Sequence, residues 1–231
     1  MYKNVIIIPY RDREKHLNLF LRDALPLFDK YLEKPFKVVI VEQNEGTLFN
    51  RGAMINIGFN EYKNQSEYYF THDIDIVPTK KGIEELYNLN CNGFNGLFTP
   101  GCNTLGCIVK FDCNSFINSN GFPNNIYGWG VEDKSLQNRA ETMNINIRKF
   151  IYHNTPNFTN YFLRNDKESD PKIKDSLFQS RTHFEYDIFK NIDYEKKLKH
   201  ILSSGLNNLQ YEILNREEIC QNVELIKVKI S

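Results

Sequence analysis

Two short, uninterrupted apolar runs constrain the fold of this 231-residue chain more than any other feature. Residues 5–8 read VIII and residues 38–41 read VVIV, and neither run alternates with polar residues. Such strands are typical of a parallel sheet whose two faces are both covered by helices, because a half-exposed strand would alternate. Both runs are far shorter than the roughly 20 apolar residues of a membrane span. The sequence therefore predicts an α/β fold with no membrane span.

Strand and helix patterns alternate through the first part of the chain. The predicted strands cover residues 3–9, 37–41 and 68–71, and the predicted helices cover residues 51–62 and 14–32, the latter with a kink or break at Pro26. This order predicts β-α-β units and a parallel sheet. Ligands of such sheets bind beyond the carboxyl ends of the strands. The polar residues expected at that edge are Arg11, Arg13, Gln43, Asp73 and Asp75.

The rest of the chain shows weaker patterns. Gly- and Asn-rich stretches at 88–106 and 118–130 predict loops. The polar stretch 153–176 lacks periodicity and predicts a lid or a disordered loop. The further predicted elements are a helix at 131–142 and strands at 147–152, 210–214 and 223–230. Since no repeat or linker interrupts these patterns, we expect one domain.

Charge and cysteine content narrow the function classes. The chain has 29 Lys and Arg against 29 Asp and Glu, so its formal charge of zero gives no support for a nucleic acid partner, which needs a clustered basic face. The five cysteines form no CxxC pair and no paired spacing with histidine, which argues against a zinc site. We expect reduced thiols and, since no leader pattern opens the chain, a cytoplasmic protein.

Two groups of charged residues at the predicted sheet edge suit a diphosphate. Asp73 and Asp75 offer hard oxygen ligands for Mg²⁺ or Mn²⁺. Arg11 and Arg13 could fork onto phosphate, with Arg51 as a third arginine near the same edge. The alternatives are a solvated turn with capping acids for the aspartates and an ion-paired loop for the arginines.

The stretch 121–133, GFPNNIYGWGVED, is the most distinctive in the chain. It holds the only tryptophan, Trp129, close to Glu132 and Asp133. An aromatic face beside carboxylates suits a carbohydrate, whose hydroxyls the carboxylates can bind, and a carboxylate there could act as general base. The alternative is a buried anchor tryptophan followed by helix-capping acids. His153 could complete a metal site with the aspartates, although a lone histidine is more often structural.

Taken together, five segments resemble the motifs of the β-1,4-galactosyltransferase family, an inverting group of GT-A glycosyltransferases (family 7). In chain order they read IIIPYRDR at 6–13, FNRGAMINIGF at 49–59, HDIDIVP at 72–78, GFPNNIYGWGVED at 121–133 and GLNNLQY at 205–211. The resemblance implies a single GT-A, Rossmann-like domain over residues 1–231, with a mixed, mainly parallel central sheet and a flexible lid loop. It further implies a nucleotide-binding part, 1–80, and an acceptor-binding part, 81–231, with the lid at about 153–176.

The resemblance also implies a reaction. Galactose or N-acetylgalactosamine would pass from UDP-Gal or UDP-GalNAc to a hydroxyl, O4, of a glycan acceptor, with inversion and with Mn²⁺ as cofactor. The implied catalytic base is Asp133, and the implied metal ligands are Asp75 and His153. The implied donor-binding residues are Pro9, Arg11, Arg13, Arg51, Asp73 and Thr104. The implied acceptor-binding residues are Trp129, Gly130, Glu132 and Asp133.

The chain departs from the family's pattern at several positions. Phe150 stands where the family has a methionine metal ligand, so we expect His72, a neighbouring carboxylate or water to take its place, or the metal to bind weakly. Val131 replaces a glycine, and Lys134 replaces an acid. In the segment 104–107, Thr104 replaces a tyrosine that crowds the donor's C2 substituent in the family. A smaller residue there predicts that N-acetylgalactosamine fits as well as galactose.

Other functions remain open at this point. Phe150 and Val131 also suit a catalytically decayed protein that only binds UDP or sugar. A metal-dependent phosphodiesterase would use the two aspartates, but it explains neither residues 121–133 nor residues 205–211. The sequence does not specify the acceptor sugar, for which GlcNAc, glucose and xylose are candidates.

Overall fold

The chain folds around a mixed β-sheet. The structure, a computed structural model, describes residues 1–128, 130–164, 189 and 192–231. Its strands are β1 Tyr2–Tyr10, β2 Phe36–Gln43, β3 Ser66–His72, β4 Ile76–Pro78, β5 Phe94–Thr99, β6 Ile108–Asp112, β7 Ile147–Tyr152, β8 Phe162–Arg164, β9 Tyr211–Cys220 and β10 Val223–Ile230. Its α-helices are α1 Glu14–Asp23, α2 Leu25–Tyr31, α3 Arg51–Tyr62, α4 Lys80–Gly82, α5 Cys113–Asn118, α6 Glu132–Thr142 and α7 Tyr194–Ser203. A π-helical turn, Ile83–Tyr87, continues α4, and 3-10 turns lie at Phe158–Asn160 and Leu206–Asn208.

Within the described residues the main sheet has eight strands in the order β7-β5-β6-β3-β1-β2-β10-β9. Its centre is parallel, because β1 pairs with both β2 and β3 and β10 pairs with β2. Strand β6 joins β3 antiparallel, and β9 joins β10 antiparallel. The prediction of a mixed, mainly parallel central sheet is confirmed. The carboxyl ends of β1, β2 and β3 share one edge, so the residues that follow these strands meet there.

The apolar strands are buried on both faces, as predicted. In β1, Ile6 and Ile8 pack in a core layer with α1 and α2, whereas Val5 and Ile7 pack in a second layer with α3. All four side chains are fully buried. Because successive side chains point to opposite faces, a strand between two layers must be apolar at every position.

The helices near the N-terminus largely follow the predicted pattern. Helix α3 has the predicted bounds, and its N-terminus is capped by Asn50, whose Oδ1 accepts from Ala53 N at 2.9 Å. The predicted helix 14–32 is broken in two, as a kink or break at Pro26 would allow, but the break lies at Ala24. Pro26 lies in the first turn of α2, where its missing N–H is not needed. Of the helices in the described part of the chain, none is both long and apolar enough to cross a bilayer.

The prediction of loops over residues 88–106 is wrong in part, because β5 lies within this stretch and is buried throughout. The Asn95 side chain donates to Asn90 O at 3.2 Å. Gly96 lets the strand pass close to the Thr99 methyl group and the Lys149 side chain, which a Cβ would meet. Asn and Gly usually favour turns, but here Asn95 and Gly96 make the contacts that pack a buried strand. Strand β6 and helix α5 were also not predicted.

The polar stretch 153–176 is ordered in its described part. Residues 153–164 contain a 3-10 turn and β8, which pairs antiparallel with β4. Phe162 of β8 is fully buried. Residues 153–164 are therefore not a disordered loop, because a strand distant in sequence supplies hydrogen bonds to them. The lid at about 153–176 stays a prediction. The rest of that prediction, residues 165–176, lies outside the described residues.

Gly58 lets α3 pack closely on β1 and β2. A Cβ there would stand 2.5 Å from Ile7 Cγ2 and 3.0 Å from Val41 Cγ2, on β-branched side chains with little freedom to move. Overpacking costs about 1–3 kcal/mol, which exceeds the helix propensity that alanine gains. We expect Gly58→Ala to lower the free energy of unfolding by about 1 kcal/mol or more in urea denaturation. Gly101→Ala is the control, because a Cβ there meets nothing within 4 Å; equal stability of the two variants would contradict close packing at Gly58.

Candidate active site

A single arginine joins three carboxylates at the carboxyl edge of the sheet. Arg51, the first residue of α3, donates from Nε and Nη2 to Asp73 Oδ1 at 3.0 and 2.8 Å. Its Nη1 donates to Asp133 Oδ1 at 2.7 Å and lies 3.9 Å from Glu132 Oε1. Asp73 follows β3, whereas Glu132 and Asp133 begin α6. The structure thus brings together four predicted site residues from three segments, which we call the Arg51 cluster.

Burial and charge oppose each other in the Arg51 cluster. Burial disfavours the charge on Arg51, but the three carboxylates outweigh it and raise the pKa of the guanidinium. Burial raises the pKa of Asp133 well above its usual value, and Arg51 opposes that shift. Burial likewise raises the pKa of Glu132. Because three acids share one cation, an ionised Asp133 is a stronger proton acceptor than an exposed aspartate, and Arg51 holds it in place.

The loop 104–107 packs directly against Asp133. Leu105 N donates to Asp133 O at 3.1 Å, and a Cβ on Gly106 would collide with Asp133 Oδ2. The lack of a side chain at Gly106 therefore sets the position of the carboxylate. Thr104 lies two residues from this contact, is half-buried, and has its Oγ1 3.5 Å from Gly101 O.

Left-handed backbone precedes α6. Gly130 has φ +99°, and Val131, where the family has glycine, has φ +66°. This conformation costs a β-branched residue about 1–3 kcal/mol. Next to it, the Glu132 side chain is buried, and its Oε2 has no hydrogen-bond partner among the described residues. Such an oxygen could accept a hydroxyl of a bound sugar. Trp129 lies outside the described residues.

The two predicted metal ligands face a common cation, Arg164. Its Nε lies 3.6 Å from Asp75 Oδ2, and its Nη1 lies 3.3 Å from His153 Nδ1 and 3.2 Å from Nε2. Burial raises the pKa of Asp75 and the charge of Asp73 adds to this shift, whereas Arg13 and Arg164 oppose it. Carboxylate and imidazole are suitable donors for Mn²⁺. Both side chains lie against the Arg164 guanidinium, Asp75 near its Nε and His153 near its Nη1.

The expectation that His72 replaces the methionine ligand is wrong. His72 is fully buried, with the rings of Phe20 and Phe28 edge-on against it at 5.4 and 6.1 Å between centroids. Its Nε2 lies 2.7 Å from Tyr87 Oη and its Nδ1 2.9 Å from Asp73 O. Both ring nitrogens are thus engaged by other partners inside the core.

A third metal ligand from the protein is not apparent in the described part of the chain, where no group of three or more His, Cys, Asp or Glu is placed to hold a metal. Phe150 is half-buried and cannot ligate. Cys107 Sγ lies 3.4 Å from His153 Nε2. Burial raises the pKa of this thiol well above its usual value, and sulfur is a softer ligand than the oxygen ligands that suit Mn²⁺.

The remaining predicted donor residues lie around the end of β1. Pro9 lies within β1, opposite Val41. Arg11 Nη1 donates to Thr47 O at 2.6 Å, and its guanidinium lies 5.3 Å from the centre of the Phe49 ring. Arg13 stands at the N-cap position of α1, where it makes no side-chain cap, and carries a charge that acts on Asp75. The arginines therefore border the edge that holds the Arg51 cluster.

Three contributors to the site were not predicted in these roles. Gln43 braces the loop before α3, because its Nε2 donates to Thr47 Oγ1 at 2.9 Å and its Oε1 accepts from Asn50 N at 2.6 Å. Gly106 admits the Asp133 carboxylate, and Arg164 lies between the predicted metal ligands. The sequence analysis singled out the segment 104–107 for Thr104 and gave Gly106 no role. No sequence signal relates Arg164 to Asp75, since their proximity depends on the pairing of β4 with β8.

The chain matches known families and proteins over most of its length. Residues 1–90 match a family model described as the N-terminal region of glycosyl transferase group 7, and residues 91–162 match one described as the N-terminal domain of galactosyltransferase. A β-N-acetyl-D-glucosaminide β-1,4-N-acetylglucosaminyl-transferase of Lymnaea stagnalis is 32% identical over 65% of this chain and 33% of that protein. The human β-1,4-galactosyltransferase 1 is 27% identical over 93% of this chain and 52% of that protein. The chain thus spans about half the length, or less, of these curated relatives.

A solved structure shares the fold. A mutant Drosophila β-1,4-galactosyltransferase 7, in complex with manganese, UDP-Gal and xylobiose, superposes with a TM-score of 0.78 at 20% identity. The match covers 100% of this chain and 95% of that one. The GT-A fold expected from the sequence is confirmed.

The burial of His72 predicts a pH dependence of stability. Burial lowers its pKa to about 4, whereas histidine in an unfolded chain titrates near ~6.5. Between these values the unfolded state binds more protons, so stability falls as the pH falls through this window. Between pH 7 and pH 4.5, the wild type should lose about 2 kcal/mol more than His72→Gln, which does not titrate there. Urea denaturation at both pH values measures this, and an equal loss would show that His72 is not buried as a neutral ring.

Proposed function

This chain belongs to the glycosyl transferase group 7 family, and we propose that it is a metal-dependent, inverting glycosyltransferase. The proposed reaction moves galactose or N-acetylgalactosamine from a UDP-sugar to a hydroxyl, O4, of an acceptor sugar, and forms a β-glycosidic bond. The observation that carries this proposal is the Arg51 cluster, in which a buried carboxylate, Asp133, lies at the edge where such sheets bind ligands. Relatives named as β-1,4-galactosyltransferases support it.

Asp133 is the proposed catalytic base. The acceptor oxygen forms a bond to the anomeric carbon while the bond from that carbon to UDP breaks on the opposite face, which inverts the configuration. The hydroxyl proton passes to the Asp133 carboxylate, and UDP leaves with the bonding electrons. Burial makes this carboxylate a good proton acceptor, and its bond to Arg51 orients it before the reaction.

Positive charge stabilises the leaving group. Arg11 and Arg13 border the edge at which the diphosphate would lie, and fixed cations stabilise the charge that grows on UDP in the transition state. Arg51, the third arginine proposed to bind the donor, shares its charge with three carboxylates and adds less. Asp75 and His153 would hold Mn²⁺, since they already converge on one guanidinium. When bound, the metal supplies further positive charge to the diphosphate. The related Drosophila enzyme was solved with manganese and UDP-Gal, which supports this choice.

The acceptor is proposed to bind next to α6. Glu132 has a buried oxygen that lacks a partner among the described residues, and Gly130 leaves the adjoining backbone open, because a Cβ there would meet nothing within 4 Å. Trp129 is proposed to supply an aromatic face. Xylobiose in the Drosophila complex makes xylose one candidate acceptor.

The direct experiment measures UDP release by the purified chain. UDP-Gal, UDP-GalNAc and UDP-GlcNAc are each supplied with GlcNAc-, glucose- or xylose-terminated acceptors, with Mn²⁺ or with a chelator. UDP-GlcNAc is included because the Lymnaea relative is named for N-acetylglucosaminyl transfer. We expect release that needs both an acceptor and the metal. Release that is equally fast without any acceptor would contradict a transferase.

The second candidate is a catalytically decayed protein that binds UDP or sugar. Phe150, which cannot ligate a metal, is the observation that favours it. This candidate predicts that UDP and Mn²⁺ bind while no combination of donor and acceptor releases UDP.

We also propose that residues 1–231 form one domain, with residues 1–80 binding the nucleotide and residues 81–231 the acceptor. The pairing of β10 with β2 supports this, because it ties the end of the chain to the nucleotide-binding part. All five cysteines are free thiols, as expected, and a cytoplasmic location remains a prediction.

Asp133→Asn tests the base. The amide keeps the shape of the side chain but accepts a proton poorly, so we expect kcat to fall by about 10²–10⁴-fold while the Kd for UDP stays nearly unchanged. Asp29→Asn, the same change on the exposed side of α2, should leave kcat unaltered. Turnover by Asp133→Asn close to that of Asp29→Asn would refute the assignment.

Thr104→Tyr tests the choice of donor. If Thr104 leaves room for a 2-acetamido group, the larger tyrosine should lower kcat/KM for UDP-GalNAc relative to UDP-Gal by about tenfold or more, the discrimination that pocket sterics achieve. Thr104→Ser, which keeps the site open, should retain the wild-type ratio. A ratio unchanged by tyrosine would mean that Thr104 does not contact the C2 substituent.

A further inference from the structure

Arg164 occupies the position between Asp75 and His153. An arginine carries only hydrogen-bond donors, so the imidazole nitrogen that bonds to it does so with its lone pair. That lone pair is also what a metal ion would need from His153. Asp75, whose side chain is only 8% exposed, likewise offers its carboxylate to the Arg164 guanidinium. Both proposed metal ligands are therefore already in contact with the positively charged guanidinium of Arg164.

The backbone fixes this arrangement. Antiparallel pairing of β8 with β4 places Arg164 opposite Ile76, the residue after Asp75. Phe162 anchors β8, since it is fully buried and stacks on Phe98 with 4.9 Å between ring centroids. Phe98 in turn packs against the His153 ring at 4.6 Å.

Two further hydrogen bonds hold the chain just before β8. Thr79 donates from its backbone N to Tyr161 O at 2.9 Å and from its Oγ1 to Asn160 O at 2.6 Å. The strand pair thus fixes the backbone of Arg164, and from there its side chain, 32% exposed, reaches Asp75 and His153.

A guanidinium and a divalent cation cannot both lie at bonding distance from the same two ligands. Each would repel the other at close range in a partly desolvated site, where charges interact more strongly than in water. Binding of the metal to Asp75 and His153 therefore requires the Arg164 side chain to move away.

We propose that Arg164 is a built-in competitor for the divalent cation. It neutralises Asp75 and engages His153, and the metal binds only by displacing it. This inference rests on the proposed function, which assigns Asp75 and His153 to the metal. Arg164 would therefore set the Mn²⁺ concentration at which the site fills.

Direct titration of Mn²⁺ tests the competition without donor or acceptor. Electron paramagnetic resonance follows the free-ion signal, which disappears as Mn²⁺ binds. Arg164→Gln and Arg164→Met remove the competing charge, and Arg164→Met keeps much of the stem's packing. We expect both to bind Mn²⁺ at least tenfold more tightly than the wild type. Arg22→Gln removes the same charge from an exposed position on α1, where Arg22 is 69% exposed and pairs with Asp23, and should bind Mn²⁺ like the wild type.

Asp75→Asn separates this inference from the proposed function. If Asp75→Asn binds Mn²⁺ as well as the wild type, the metal site itself is misassigned, and both proposals fail. If Asp75→Asn loses Mn²⁺ while neither Arg164 variant gains affinity, the metal site stands and the competition is refuted. Absence of binding in the wild type and in both Arg164 variants would overturn both.

Discussion

The buried contact of Arg51 with Asp73, Glu132 and Asp133 is the constraint on which the functional end of this molecule depends. It joins the start of α3, the end of β3 and the start of α6, three segments that no local interaction would hold together. Removing one partner of a buried ion pair typically costs about 3–5 kcal/mol, because the other charge is left uncompensated. The cluster thus fixes the sheet edge as firmly as the apolar core fixes the layers beneath it.

The charge balance of that cluster also gives it a chemical character. Burial raises the pKa of both Asp133 and Glu132. The neighbouring carboxylates add to this shift, because one guanidinium cannot fully neutralise three of them. The surplus of negative charge favours proton uptake and the approach of hydrogen-bond donors, such as sugar hydroxyls. The left-handed Val131 just before these acids adds local strain, which is tolerated because the surrounding contacts define the conformation.

The sequence was sufficient to predict the centre of the sheet and helix α3. The family motifs also singled out the four residues of the Arg51 cluster, but as separate donor-binding and acceptor-binding residues and not as one ion-paired group. Those features rest on continuous apolar runs and on motifs whose residues lie close together in the chain. Strand β5 was missed because Asn95 and Gly96 resemble loop residues and acquire their packing role only beside β7. Strand β8 and Arg164 were missed because a three-residue strand has no detectable period, and its partner β4 lies far away in the sequence.

The loop 104–107 lies between the two halves of the site. On one side Gly106 touches the Asp133 carboxylate, and on the other Cys107 contacts His153 and accepts from Asp73 N through its carbonyl oxygen at 3.0 Å. Thr104 begins this same short piece of backbone. A substitution that reshapes the loop to suit a different donor must also move groups on either side of it. Under the proposed function, the choice of donor and the position of the catalytic base are therefore coupled through one short piece of backbone.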